Sequence, residues 1–464
     1  MPVYDVVLRN GLVVTESSAL MMDLAITNGR IAAIGSIEGR AAVQVDVSGH
    51  WVMPGVIDAH VHLNEPGTDW EGFETGSRAL AAGGCTLFVD MPLNGVPPTI
   101  DPSALTEKVA CATGKSVIDF AFWGGLVPRR LDQLEPLADA GVLGFKAFLS
   151  APGGPSADHG YVQVDDATLY EGMRILARVG LPLLLHAENG AIADAIRSQL
   201  EREGRLTARD YAASRPPEVE WEAVQRALTL AEATGCRLHF VHISTPESVH
   251  RIQAAKRKGL DVTLETCPHY LALTVDDFER LGPVAKCAPP LRDEQTRLAL
   301  WDRLRRGLID DVASDHSPCP MDMKRSASGN YFEVWGGIAG GQSTLEVMLD
   351  EGLRQGLRLV DVARLTAAHP AKRLGVYPRK GVIQIGSDAD LAIVNPAERY
   401  TLRPEHLFQR HRHSPYIGRT FSSRVVQTWC RGHLVYQAHG EPTFPTAGIG
   451  QWIRSAHSSH AERA

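Results

Sequence analysis

A chain of 464 residues can bury a large core, and 44% apolar with 22% charged residues is ordinary for a globular protein. A formal net charge of -7 without any basic run argues against a nucleic-acid partner. No apolar stretch approaches the roughly 20 residues of a membrane span. The opening MPVYDVVLRNGLVV is broken by Asp5 and Arg9, unlike a secretory leader, so no membrane partner and a cytoplasmic location are expected.

The first fifty residues are short apolar runs between turn signals: YDVVLRNG, GLVV, DLAITNG, RIAAIGS and VQVDVSGHWVMPG. Two Asn-Gly pairs and glycine-rich breaks between β-rich runs predict hairpins. The same texture returns in GVIQIGSDADLAIVNP (381–396) and SRVVQTWCRGHLVY (423–436), so both ends are expected to meet in one small sheet domain.

Between them, apolar runs of five to nine residues alternate with helical periodicity, the signature of βα units on a parallel sheet. Eight strands are predicted, over 56–63, 85–91, 117–126, 141–149, 181–188, 237–244, 261–271 and 310–318. Helices are predicted over 166–180 and 218–235, the second lining one face with Val219, Val224, Ala227, Leu228 and Ala231. Eight repeats over about 330 residues fit a (β/α)8 barrel of the TIM type. A doubly wound sheet shares the alternation but needs fewer repeats. The tail PTAGIGQWIRSAHSSHAERA reads as poorly ordered or as an interface arm.

Five of the predicted strands end in residues able to bind a metal: His60 and His62, Lys146, His186, His242 and Asp315. In a barrel the C-terminal strand ends share one mouth, so these distant residues would meet. His60 and His62 stand two apart, and on a strand both rings point the same way. Read alone, a strand histidine such as His186 or His242 is more often a core residue satisfied by a carbonyl than a ligand; read together at one mouth, they become ligands. Lys146 lies in GVLGFKAFL without a local acidic partner, where an ammonium is costly and a neutral amine favoured. Such an amine can take up carbon dioxide and become an anionic carbamate able to bridge two cations, although a lysine at a strand end can also snorkel. Asp315 in VASDHSP can bind a metal and carry a proton, or only form a turn. His316 should point the other way, and His269 in TCPHYL should end the seventh strand as packing. The seven cysteines are scattered singly without a CxxC pair; Cys85 and Cys319 read as core filler.

With those residues on view, DAHVHLNEPGTDWEGFETGSRALAAGG, VDMPLN, GFKAFL, LHAEN, HFVHIST, TCPHYL, KCAPPLRD, SDHSPCP, WGGIAGGQ and SPYIGRT resemble the cyclic amidohydrolases of the amidohydrolase superfamily. Among them the allantoinase branch is the most similar. The resemblance spans residues 58 to 420. It implies a metal-dependent barrel over 53–380 and a small β-sandwich assembled from 1–52 and 381–440, with 441–464 as a tail. It also implies a homotetramer. Two divalent ions per chain would be held by His60, His62 and Asp315 on one side and by His186 and His242 on the other, bridged by N6-carboxylated Lys146. Zinc is the first expectation, with cobalt, nickel and manganese equally suited to such ligands. A metal can lower the pKa of water to about 7 and polarise a carbonyl, and Asp315 would move the proton to the leaving nitrogen.

Asn64 follows the HxH pair where dihydroorotases, relatives with the same metal site, carry an arginine for a carboxylate. A neutral amide cannot pair a carboxylate as a guanidinium does, which implies an uncharged cyclic ureide such as allantoin. Asn94 in VDMPLNG and Ser317 are further candidate substrate contacts, and turn bonding is the alternative for all three. Hydantoinases and dihydropyrimidinases share the chemistry but usually carry a tyrosine shortly after the lysine; here the first is Tyr161. A metal-free scaffold would have lost ligands, and all six positions are filled.

Overall fold

The structure is a computed structural model and describes residues 3–456. The eight inner strands lie where the apolar runs placed them. They are β1 (Val56–Val61), β2 (Cys85–Asp90), β3 (Asp119–Phe122, resuming at Gly124–Gly125), β4 (Phe145–Phe148), β5 (Leu183–His186), β6 (Leu238–Phe240), β7 (Val262–Thr266) and β8 (Asp311–Val312). β1, β2 and the first half of β3 form one parallel sheet, and the second half of β3 through β8 forms another. β3 breaks at Trp123, whose backbone N–H goes to Asp90 and whose indole N–H donates to the Ala59 carbonyl at 2.9 Å. A bridge between Val61 and His316, with the His62 N–H donating to the His316 carbonyl, links the first strand to the chain beyond the last.

Continuous burial of β1 through β6 explains why these strands lack alternation, since a parallel sheet covered by helices is apolar on both faces. The helix Pro217–Thr234 buries Val219, Val224, Ala227, Leu228 and Ala231 as predicted. Asp166–Val179 is capped by Asp165, which accepts from the Thr168 N–H, and stops at Gly180 in the left-handed region.

The two chain ends join in one eight-stranded sheet. Trp51–Pro54 pairs antiparallel with Leu391–Asn395, which continues through Arg424–Cys430 to His433–Gln437. On the other side follow Val3–Val14, Ala19–Thr27 and Arg30–Gly35, with Arg40–Asp46 also on Val3–Val14. Only one Asn-Gly pair turns a hairpin. Asn28 and Gly29 have φ of 52° and 74°, as a tight hairpin turn requires, and a Cβ at Gly29 would lie 2.8 Å from the Arg431 carbonyl. Asn10-Gly11 instead is an irregularity inside one long strand, where the register with Ala19–Thr27 shifts between Leu8 and Gly11. Asp46 and Asp23 bond Asn10 there, which makes a bulge the better local solution than a turn.

The tail departs from the expectation of poor order as far as it is described. Gln451 to Ile453 bond Phe120 of β3, Ile453 is buried, and Arg431 donates to the Ile449 carbonyl. The part of the predicted tail from 457 to 464 lies outside the described residues. Beside this contact, Lys380 is buried with Nζ at 2.7 Å from Asp119, 3.2 Å from Asp388 and 2.6 Å from Asp390. It ties an inner strand to the end sheet. Lys380→Met would strand these carboxylates, and breaking a buried ion pair costs about 3–5 kcal/mol. A loss of that size in unfolding free energy, read by urea titration, is the expected result. No described helix is long and apolar enough to cross a membrane.

Candidate metal centre and cavity

His60 lies within β1, His186 ends β5, and Lys146 sits inside β4, while His62, His242 and Asp315 lie just beyond their strands. His242 and Asp315 have φ of 42° and 47°, and Asn64 and Asn94 have 61° and 67°. Asn, Asp and His are the residues that best tolerate the left-handed region, and such strain gathers at functional sites.

His60 Nε2 and His62 Nε2 stand 3.1 and 3.4 Å from the same oxygen of Asp315. On the other side His186 Nδ1 faces His242 Nε2 at 2.9 Å. The His60 and His242 rings are 5.5 Å apart between centroids, which joins the two halves. Burial lowers the pKa of His60 and His186 and takes His242 well below its usual value, so the imidazoles stand neutral, as metal ligation requires. Burial alone would raise Asp315, but His60, His62 and His242 hold its carboxyl well below the carboxylate range.

Lys146 is 0% exposed, its Nζ has no hydrogen-bond partner, and it lies 4.9 Å from the Phe148 ring centre. Burial pushes its pKa down from 10.5 to about 7, although Glu265 and Asp315 pull the other way. An amine that is buried, unpaired and often neutral suits conversion to an anionic group between cations. The convergent imidazole nitrogens and the Asp315 carboxylate supply the remaining donors, so the residues present fit a divalent-metal centre.

Two carboxylates missed in the sequence support the histidines. Glu265, in β7, meets His60 Nδ1 at 2.5 Å and His239 Nε2 at 3.1 Å. Glu188 meets His186 Nε2 at 2.8 Å and Arg215 at 2.6 Å. Burial would raise both, yet both are held at about 2, Glu265 chiefly by His60 and Glu188 chiefly by Arg215. The signal for Glu265 was an acidic residue in the buried run VTLET, and for Glu188 its place two residues after His186.

A cavity of about 190 Å³ opens over the centre. His60, His62, His186, His242 and Asp315 form its floor, and Asn94, Ser317, Lys286, Arg215 and Trp335 contribute to its walls. Asn94 is 2% exposed and its side-chain oxygen has no partner, which fits a substrate contact. Asn64 is also buried but does not line the cavity; its amide donates to the Pro318 carbonyl at 3.3 Å. It therefore ties the loop after β1 to the loop that carries Ser317. Gly337 packs against Ser317, where a Cβ would come within 2.7 Å of its backbone and hydroxyl oxygens. WGGIAGGQ thus lets backbone approach the site closely.

His316 is buried as a structural residue, its Nδ1 accepting from the Gly341 N–H at 3.2 Å. His269 is buried too, but in a short helix, Pro268–Ala272, because Pro268 opens a helical turn directly after β7. Tyr161 is fully buried, and its hydroxyl donates to the Lys146 carbonyl at 2.9 Å, away from the cavity. All seven cysteines are free, and Cys85 and Cys319 are buried.

The amidohydrolase family model matches residues 51–435, and the chain belongs to the amidohydrolase family. This family is metal-dependent. The chain is 49% identical over 440 residues to an allantoinase of Rubrobacter xylanophilus, covering 94% of this chain and 95% of that one. It is 44% identical over 452 residues to an allantoinase of Escherichia coli, covering 97% and 98%. Among solved structures it superposes on the L-hydantoinase (dihydropyrimidinase) of Arthrobacter aurescens with a TM-score of 0.92 at 35% identity, covering 97% and 100%. Within the family the chain is therefore an enzyme of the cyclic amidohydrolase branch.

Proposed function

We propose that this enzyme hydrolyses the cyclic amide bond of allantoin to give allantoate, at a binuclear centre bridged by carboxylated Lys146. The observation that carries the chemistry is the fully buried, unpartnered Lys146 Nζ among His60, His186, His242 and Asp315. Identity of 44–49% to allantoinases over nearly the whole chain supports the choice of substrate. His60, His62 and Asp315 would hold one divalent ion and His186 and His242 the other, with zinc as the first candidate. When bound, the ions supply an acidified water and a polarised amide carbonyl.

The chain's own groups do the rest. Asp315, with two histidines on one oxygen, takes the proton of the attacking water and passes it to the departing ring nitrogen. Asn94 and Ser317 hold the ring and its substituent by hydrogen bonds. Position 64 presents no guanidinium for a carboxylate, which favours a neutral ring over dihydroorotate. The hydroxyl of Tyr161 is already engaged by Lys146, which favours allantoin over the substrates of hydantoinases. In this reading the two parallel sheets form one closed (β/α)8 barrel over 53–380, flanked by a β-sandwich domain from 1–52 and 381–440.

The test is purified, metal-loaded protein assayed against allantoin, dihydrouracil, hydantoin and dihydroorotate. Turnover of allantoin above the others is expected; turnover of dihydrouracil alone overturns the assignment. Asn94→Ala should raise KM for allantoin about tenfold, in line with the roughly 0.5–1.5 kcal/mol of an ordinary hydrogen bond, in steady-state kinetics on the folded variant.

A further inference from the structure

Beneath the cavity lies a second group of buried polar residues to which the reaction assigns no part. The ligand-type atoms of His239, Glu265 and Asp311 lie within 4.8 Å of one another, all buried. Glu265 stands at its centre. One oxygen faces His60 Nδ1 at 2.5 Å, and the other faces His239 Nε2 at 3.1 Å. His239 Nδ1 in turn lies 2.8 Å from the Thr263 hydroxyl.

With both rings neutral, the donor count of this row has one solution that leaves Glu265 ionised. A carboxylate only accepts, so both ring nitrogens that face it carry protons. His239, protonated on Nε2, then accepts from Thr263 through Nδ1. A neutral His60, protonated on Nδ1, then has its Nε2 lone pair free on the cavity side, where a cation would stand between it and Asp315. The Glu265 oxygen that faces His60 also accepts a longer bond, 3.3 Å, from the His242 N–H. The opposite half of the centre is built differently, because the carboxylate behind His186 is pinned by Arg215, which lines the cavity wall.

We propose that Glu265, aimed by His239 and Thr263, is a positioning residue that fixes the tautomer and direction of His60 and so sets the affinity for the ion on the His60, His62 and Asp315 side. The inference rests on the metal-centre reading above. Partners behind a metal-bound histidine typically contribute 10–100-fold to affinity. Gln at 265 offers one donor and one acceptor to two imidazoles that both donate, so one ring must change tautomer or lose its bond.

The test is equilibrium competition with a chromogenic zinc chelator, with metal content per chain, on wild type, Glu265→Gln and His239→Phe. Glu265→Gln should hold one of two ions 10–100-fold more weakly and the other as in wild type. His239→Phe should loosen the same ion by a smaller factor. A Glu265→Gln protein that melts cooperatively and keeps both ions at wild-type affinity overturns the proposal. Should the variants not fold, a neutron map of metal-free wild type decides: a proton on His60 Nδ1 toward Glu265 supports it, and an Nδ1 without a proton overturns it. Wild type that binds no metal would sink the metal-centre reading itself, a separable result.

Discussion

Lys146→Met is expected to abolish turnover while making the metal-free protein more stable. Without an amine at 146 no carbamate can form, and the two halves of the centre lose their common anion. A loss of ~10³–10⁴-fold in kcat corresponds to roughly 4–5.5 kcal/mol of barrier. The stability change follows from the pKa. Lys146 titrates normally at 10.5 but at about 7 in the folded chain, because burial disfavours its cation. A lowered lysine pKa penalises folding wherever the unfolded chain would be protonated. The penalty is absent above about pH 10.5, grows as pH falls toward 7, and is fully present below it, on the order of a few kcal/mol. Methionine of similar length carries no such cost. Metal-free Lys146→Met should therefore melt above metal-free wild type at pH 7, with the gap closing toward pH 10. Equal melting temperatures across that range would contradict the burial of an uncompensated amine. Intact mass of the native wild type, heavier by one carbon dioxide, would report the modification directly.

Asp315→Asn should come second in effect, and it tests the proton path more cleanly. Asp315 adopts φ 47°, a conformation that asparagine accepts as readily as aspartate, so the backbone should not move. Shape and hydrogen-bonding length are kept; the charge and the basic site are lost. General acid–base catalysis contributes typically 10²–10⁴-fold, and a drop in kcat of that order is expected, with KM nearly unchanged. The control is metal content. Near-native turnover at full occupancy would remove Asp315 from the proton path. If occupancy falls, adding metal to saturation before the assay separates the ligand role from the proton role.

The fold was legible where one apolar run makes one buried strand. GVLGFKAFL and LPLLLHAE need no partner information, because strands covered on both sides are apolar throughout. The break of β3 at Trp123 was not legible, since it depends on an indole reaching the Ala59 carbonyl from a distant segment. Asn10-Gly11 misleads for a related reason. The dipeptide permits a turn or a bulge, and the choice is made by Asp23 and Asp46 across the sheet. In the site, the spacing HxH and the lone lysine in an apolar strand stand out by themselves. Glu265 and Glu188 do not, because their meaning lies in what they touch, and His60 is 205 positions away from Glu265. Asn64 shows the converse limit: its polarity and place single it out in the sequence, while the direction of its amide toward Pro318 is set by the folded loops.

The pairing of Trp51–Pro54 with Leu391–Asn395 bears on how the chain matures during synthesis. At about 5–20 residues per second, a ribosome needs roughly 20–70 s to travel from the first of these strands to the second. Throughout that interval the amino-terminal strands have an open edge able to recruit other nascent chains. Slowing translation between the two strands should therefore lower the soluble yield without altering the finished enzyme.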